Sequence, residues 1–286
     1  MTFAWMERHR EQFPVRAMCE TFGVSPSGFY ASRRRQLGPR RQRRAELSEQ
    51  IVDVHAQSRG TYGSPRVYRE LLEQGVRVCE NTVAKLMRAQ GLRSKRRRKF
   101  VPRTTDARHA FPTAANVLDR AFEADAPNRK WVCDITYVET GEGWLYMAAV
   151  LDLYSRKVVG WSMAEHLRAD LVEDALSMAL MRRRPGKGLL HHSDRGVQYA
   201  CDRYQQRLRQ EGLVCSMSRT GNCYDNAAME SFWSTLKTEL VYHEKFATRE
   251  RARRAIFEYV EVFYNRERRH SSIGYISPES FEAALN

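Results

Sequence analysis

The chain has 286 residues, 42% of them hydrophobic, which suits one medium domain plus one or two small ones and excludes a disordered chain. No apolar run reaches the roughly 18 residues of a membrane span, and the opening MTFAWMERHREQF is no secretory signal, so a soluble cytoplasmic protein is expected. The net charge of +14 is uneven: residues 1–110 hold 24 Lys/Arg and 10 Asp/Glu, while residues 111–286 hold 24 of each. A basic half joined to a neutral half points to a nucleic-acid-binding region attached to a separate globular domain.

The six cysteines (Cys19, Cys79, Cys133, Cys201, Cys215, Cys223) form no C-x-x-C pair and no zinc-finger spacing, so neither a disulfide framework nor structural zinc is indicated. Residues 1–38 read as a helix-turn-helix domain. Val15, Met18, Cys19 and Phe22 repeat at helical spacing, and Gly23 can take the left-handed conformation that ends a helix. Ser25 caps a second helix with Pro26 at its first position, and the helix runs into Arg33, Arg34 and Arg35, candidates for DNA contact. A short helical hairpin without a DNA role is the bland alternative.

Residues 39–92 read as a second helix-turn-helix-like domain. Leu47, Ile51, Val54 and His55 share one face of a helix over 46–57, which Gly60 and Gly63 interrupt. Ser64-Pro65 restarts a helix that Gly75 ends, and Glu80 or Asn81 begins one closed by Gly91. That last helix would be the recognition helix, with Lys85 and Arg88 free to meet phosphates or bases. The run 93–99 then places Arg93, Lys95, Arg96, Arg97 and Arg98 where backbone or minor-groove contact is expected. Residues 93–125 are read as a basic linker with one short helix at 114–122.

From residue 126 the pattern changes to a catalytic domain. WVCDITYVET, GWLYMAAVLDLYS and KVVGWSMAEH read as three antiparallel strands, followed by a helix over 167–184. A short strand in GLLHHSDRG, a helix over 201–211, a strand in LVCSMSRT and a long helix over 226–243 complete the order β-β-β-α-β-α-β-α. This order is similar to that of the α/β ribonuclease-H-like fold, in which three antiparallel strands are extended by parallel ones. Asp134 then lies within the first strand, Asp194 at the end of the fourth, and Glu230 near the start of the long helix. Three carboxylates converging at one point repel unless a cation neutralises them. An all-oxygen set suits Mg²⁺ or Mn²⁺, and two such ions can serve an in-line phosphoryl displacement. With 11 Asp and 23 Glu in the chain, the spacing itself is a weak signal; placement on neighbouring elements carries it. On the long helix Ser234 and Lys237 share the polar stripe of Glu230, and Lys237 is placed to hold a DNA phosphate. Arg195 and His192 flank Asp194 and read as positioning DNA or a metal-bound water; His191 reads as packed. Asp152 reads as a turn cap or a fourth acid, Asn226 as an N-cap, and Arg268, Arg269 and His270 as a basic cluster for DNA or for the helix dipole.

The words W-x-x-D-I-T-Y at 131–137, H-S-D-R-G-x-Q-Y at 192–199, G-N-x-x-D-N-A-x-x-E-S-F-W-x-x-L-K at 221–237 and Y-N-x-x-R-x-H at 264–270 resemble the OrfB transposases of insertion sequence family three, within the retroviral-integrase-like DDE superfamily. Y-G-S-P-R at 62–66 and G-V-S-x-S-G-F-Y at 23–30 extend the resemblance over nearly the whole chain. It implies that Asp134, Asp194 and Glu230 are a catalytic triad for cleavage at element ends and transfer of the 3′ hydroxyl to target DNA. It also implies a bacterial, nucleoid-associated protein whose partners are double-stranded DNA (the element's terminal inverted repeats and target DNA), a homo-oligomer on that DNA, and an upstream OrfA protein or frameshift fusion. A structure-selective or hybrid nuclease and a non-catalytic DNA-binding repressor are the alternatives.

Overall fold

The computed structural model describes residues 2–34, 38–95, 111–219 and 223–284. The first 34 residues form three helices: α1 (Thr2–Arg8), α2 (Val15–Phe22) and α3 (Pro26–Arg34). Gly23, at φ +62°, ends α2 in the left-handed region, and the Ser25 hydroxyl accepts the Gly28 N–H at 3.0 Å to start α3. Met6, Met18, Cys19 and Phe29 are their small core.

The second helical unit holds α4 (Pro39–Gln57), α5 (Ser64–Glu73) and α6 (Glu80–Ala89). Helix α4 starts at Pro39, well before its amphipathic stretch, because proline suits a first turn. Leu47, Ile51 and Val54 meet Val67 and Leu71 of α5 and Val83, Leu86 and Met87 of α6. No helix forms at 114–122. That segment lies along the last strand of the sheet instead. Its Val117 and Leu118 N–H groups donate to the Ser216 hydroxyl, Ala115 O accepts from Met217 N, and Leu118 is buried.

The catalytic half is built on five strands: β1 (Lys130–Thr140), β2 (Gly143–Asp152), β3 (Val158–Ala164), β4 (Leu190–Ser193) and β5 (Val214–Met217). Their order is β3-β2-β1-β4-β5. β1, β2 and β3 pair antiparallel, and β4 and β5 add on in parallel, the topology expected of a ribonuclease-H-like core. Helix α7 (Ala169–Arg183) packs on one face, so closely at Gly160 that an added Cβ would stand 2.2 Å from Ala175 O. Helices α8 (Val197–Ala200) and α9 (Asp202–Gln210) share that face through Tyr199, Ala200, Tyr204 and Leu208. The other face carries α10 (Ala227–Glu239), which buries Met229, Phe232, Trp233 and Leu236. Each such side chain contributes about 1.5–3 kcal/mol.

Helix α10 ends at Glu239, short of the 226–243 pattern, and a separate turn of 3₁₀ helix follows at Val241–His243. Helix α11 (Arg249–Glu258) continues as a π-helix over Tyr259–Glu267, and α12 (Pro278–Ala283) closes the chain. The period of two along β1 divides it cleanly. Trp131 and Cys133 face α7 and α9, while Val132 and Val138 face α10 and its neighbours.

Candidate active site

The same alternation puts Asp134 on the α10 face of β1, where the Trp233 indole N–H donates to its Oδ2 at 3.0 Å. β1 and β4 pair in parallel with Val132 opposite His192. Continuing that register by two residues sets Asp194, just past the end of β4, beside Asp134. The Asp194 Oδ1 accepts the Gly196 N–H at 2.9 Å, and a Cβ at Gly196 would press within 3.0 Å of the same oxygen. Glu230 stands in the first turn of α10, exposed.

Electrostatics link the three. The Asp134 carboxyl is pushed up to about 8, first by burial and then by the Asp194 charge, with Glu230 adding a smaller push. Hydrogen bonds from Ile135 N–H and Trp233 oppose the rise without cancelling it. Burial and a neighbouring negative charge both favour the protonated form of such a pair. Among the described residues, no three His, Cys, Asp or Glu side chains close tightly enough to enclose an ion. Asp134 and Asp194 are brought together, whereas Glu230 is near but open. The donors present are all hard carboxylate oxygens, and the raised Asp134 carboxyl is a proton standing where a divalent cation would neutralise the pair; the residues fit such an ion.

Lys237 lies two turns along α10, with its ammonium 5.1 Å from the centre of the Tyr137 ring. Burial pulls its basicity down, and Asp134 pushes it back up. Ser234, on the same stripe, is half-buried. Arg195 donates through Nε to Ser218 O at 2.6 Å, which fixes its stem beside Asp194. His192 is inside the protein with Nδ1 on Ser216 Oγ and Nε2 on Ser218 Oγ, and burial lowers its basicity to about 4. A buried, neutral, doubly engaged ring ties β4 to the strand beside it. His191 is packed as expected, between Cys133 Sγ and the Tyr204 hydroxyl.

Two other acids resolve as structural. Asp152 accepts the Asn128 and Tyr154 N–H groups at 2.7 and 2.9 Å and pairs with Arg183, so it is a buried turn cap. It sits opposite Trp131, whose side chain lies on the face of the sheet away from Asp134. Asp225, also buried, is gripped by Arg219, Arg120 and Asn116, and the Arg219 guanidinium holds its carboxyl well below the usual range. Asn226 does not cap α10 with its side chain. Its Nδ2 donates instead to Cys133 O at 3.2 Å, tying the start of the helix to the residue before Asp134. The contacts of Trp233 with Asp134 and of Asn226 with Cys133 O were not disclosed by spacing alone. The one available hint for Trp233 was its place at the edge of the apolar stripe, next to the polar one.

The expected DNA contacts divide. Lys85 and Arg88 are exposed on α6, opposite its buried Val83, Leu86 and Met87, and Arg93 is exposed beyond it. Arg33 is exposed and pairs with Glu7 at 3.1 Å. Lys95 is drawn inward, its ammonium donating to Glu239 O at the end of α10 at 2.7 Å. The Arg34 side chain and Arg35, Arg96, Arg97 and Arg98 lie outside the described residues. The C-terminal basic cluster is engaged by carboxylates of the protein itself. Arg268 forks onto Glu239 at 2.7 and 2.8 Å, with Tyr259 OH on the same carboxylate. Arg269 pairs with Glu70 and Glu73 of α5. Arg59 forks onto Glu258 of α11. The Arg269 and Arg59 pairs bind the second helical unit to the catalytic half.

Comparison with known proteins gives this arrangement a family. Two models described as an integrase core domain match residues 124–223 and 211–278, and an HTH-like domain matches residues 42–100. Transposase InsF for insertion sequence IS3A, from Escherichia coli (strain K12), is 44% identical over 99% of this chain and 98% of its own. An insertion element IS600 uncharacterized 31 kDa protein, from Shigella sonnei, is 47% identical over 92% of this chain and 97% of its own. The catalytic core domain of BIV integrase, among solved structures, is similar at 18% identity and TM-score 0.43, over 55% of this chain and 95% of that one, too distant to carry an argument. An integrase-type sheet with an HTH-like domain before it defines a DNA transposase of the DDE class, a class that depends on divalent metal. The chain belongs to the transposase family of IS3-type insertion sequences. No helix among the described residues is long and apolar enough to cross a membrane.

Proposed function

We propose that Asp134, Asp194 and Glu230 are the catalytic carboxylates of this transposase, acting in cleavage at the ends of its element and in joining the freed 3′ hydroxyl to a target phosphate. The observation that carries this reading is the Asp134–Asp194 pair, two carboxylates on adjacent parallel strands with one forced up to about 8. Bound there, Mg²⁺ or Mn²⁺, two ions in the full reaction, would lower the barrier by stabilising charge on the attacking and leaving oxygens. Asp134 and Asp194 would hold the ions from the sheet and Glu230 from α10. The Trp233 indole fixes the rotamer of Asp134, and Asn226 fixes the height of the helix above the strand. Lys237 reaches toward the same carboxylates with a cation suited to a DNA phosphate.

The exposed Lys85 and Arg88 of α6, with Arg93 beyond, would bring particular duplex ends to this centre. Two ends processed together call for at least a homodimer on DNA. An upstream OrfA partner or fusion would supply a further DNA-reading unit. The test is strand transfer with labelled element ends in Mg²⁺. Glu230→Gln is expected to abolish joined product while end binding in a mobility-shift assay stays within about twofold. Cleavage with no joined product under any partner condition would favour a nuclease, and undiminished joining by the variant would remove Glu230 from the site.

A further inference from the structure

Behind α10, away from Glu230, lies a cavity of about 350 Å³ between the second helical unit and the catalytic half. That volume falls at the small end of ligand-sized cavities. Three guanidinium groups line it: Arg66 from the start of α5, Arg156 from the turn between β2 and β3, and Arg268 from the C-terminal segment. Ser231 and Thr235 of α10 add hydroxyls to its wall. The three cations come from segments far apart in sequence, so no local feature explains their meeting.

Their charges are unevenly compensated. Arg268 is satisfied by Glu239. Neither Arg66 nor Arg156 joins an ion pair among the described residues; each donates only to a carbonyl, Arg269 O at 2.9 Å and Phe122 O at 3.3 Å. Burial and the Arg268 charge pull Arg66 below its usual basicity, and burial does the same to Arg156. Glu239 offsets part of the Arg66 charge, and Tyr264, Asp152 and Glu123 offset part of that on Arg156, but no carboxylate among the described residues pairs directly with either, so an anion seated between them would add a countercharge. The forked donors match phosphate oxygens, and hydroxyls complete such a site.

We propose that this cavity is a phosphate site that takes a backbone phosphate of the DNA strand, gripped by Arg66 and Arg156 over the Arg268–Glu239 pair. The DNA identity of the carrier rests on the transposase reading above. The site would seat DNA against the back of the helix that bears Glu230, so that one helix meets DNA on two sides. It also gives a role to Arg66 of the Y-G-S-P-R motif, which the catalytic centre leaves unused.

The test uses the full chain without metal, at constant ionic strength, with inorganic phosphate as probe and thermal unfolding as readout. Phosphate is expected to raise the wild-type Tm in a saturable way. In Arg66→Gln/Arg156→Asn the saturable rise should vanish, while the Tm without phosphate equals or exceeds that of wild type because crowded charge has been removed. Asn tolerates the left-handed φ of +62° at residue 156, and Gln keeps an N–H donor for Arg269 O. The Lys/Lys double variant should recover part of the response. A short DNA duplex should compete with phosphate on wild type. The double variant should bind that duplex at least about tenfold more weakly, with a salt slope shallower by about 1 for each backbone phosphate it no longer neutralises. An unchanged phosphate response in the double variant overturns the site. A Tm lowered equally with and without phosphate shows a purely structural role and overturns it too. Failure of the duplex to compete overturns the assignment to DNA. The phosphate arm is independent of strand transfer, so Asp134→Asn should keep the response even if the transposase chemistry is assigned wrongly.

Discussion

Asp134 carries its proton in the folded protein up to a pH of about 8 but loses it near the ordinary carboxylate value of 3.8 when the chain unfolds. Between those limits the folded state binds more protons than the unfolded one, so this site's contribution to stability falls as pH rises from about 4 to about 8. The proton belongs to the Asp134–Asp194 pair rather than to one residue. Asp134→Asn is therefore expected to raise the metal-free Tm at pH 8, with little change at pH 4. Divalent cation should raise the wild-type Tm more at pH 8 than at pH 5 and should leave the variant unmoved. Melting curves at three pH values, with Mg²⁺ or with EDTA, check both statements. A variant that melts below wild type at pH 8 without metal would refute the strained-pair account. Trp233→Phe keeps the packing and removes the indole donor from Asp134 Oδ2. Losing a hydrogen bond to a charged acceptor costs about 1.5–3 kcal/mol, so strand transfer should fall roughly ten- to a hundredfold with DNA binding unchanged.

At the scale of elements, the sheet depends on close approach at Gly160, where α7 crosses β3. Gly160→Ala should cost about 1–3 kcal/mol through displacement of α7, read as a lower denaturation midpoint with an unchanged m-value. The five strands and the helices at 169–183 and 227–239 were legible in the sequence because period-two and period-3.6 apolar patterns survive where one face is buried. The helix expected at 114–122 was not formed, although Ala114, Leu118 and Phe122 repeat at helical spacing. The Ser216 hydroxyl and the edge of β5 offer that backbone hydrogen bonds which a helix would have to forgo. Propensity yields to tertiary context there. The carboxylate pair was legible because strand ends can be counted. The roles of Arg268 and Arg269 were not, since Glu239 lies 29 residues away from Arg268 and Glu70 lies 199 from Arg269. A run of positive charge reads as a DNA patch until its partners are placed. Asn226 follows the same logic: beside a helix start it looks like a cap, and only the fold brings Cys133 O within reach.

At the scale of the molecule, the second helical unit and the catalytic half share one continuous apolar cluster, from Leu47 and Val67 to Phe232 and Phe263. The Arg269 fork and the Arg59–Glu258 pair close its polar rim. Arg269→Ala would leave Glu70 and Glu73 without their partner, while the backbone N–H at 269 keeps its bond to the Tyr62 hydroxyl. It should lower the Tm by an amount that reflects about 3–5 kcal/mol at the buried end of the network. Strand transfer should drop more than end binding, because reading and chemistry would no longer be held in one frame. Equal losses in both assays would show that the junction serves stability alone.

The parallel register of β1 against β4 has a further consequence, for chain length rather than residue identity. Adding or deleting one residue between Lys130 and Asp134 would turn the Asp134 side chain toward α7 and α9, and would break its alignment with Asp194, whatever residues were used. The two-residue turn between β1 and β2 carries no such constraint on the acids, since β4 pairs with the opposite end of β1. An insertion-deletion scan should therefore find the first five positions of β1 closed to any change of length, even where several of them accept conservative substitution, and should find the neighbouring turn far more permissive.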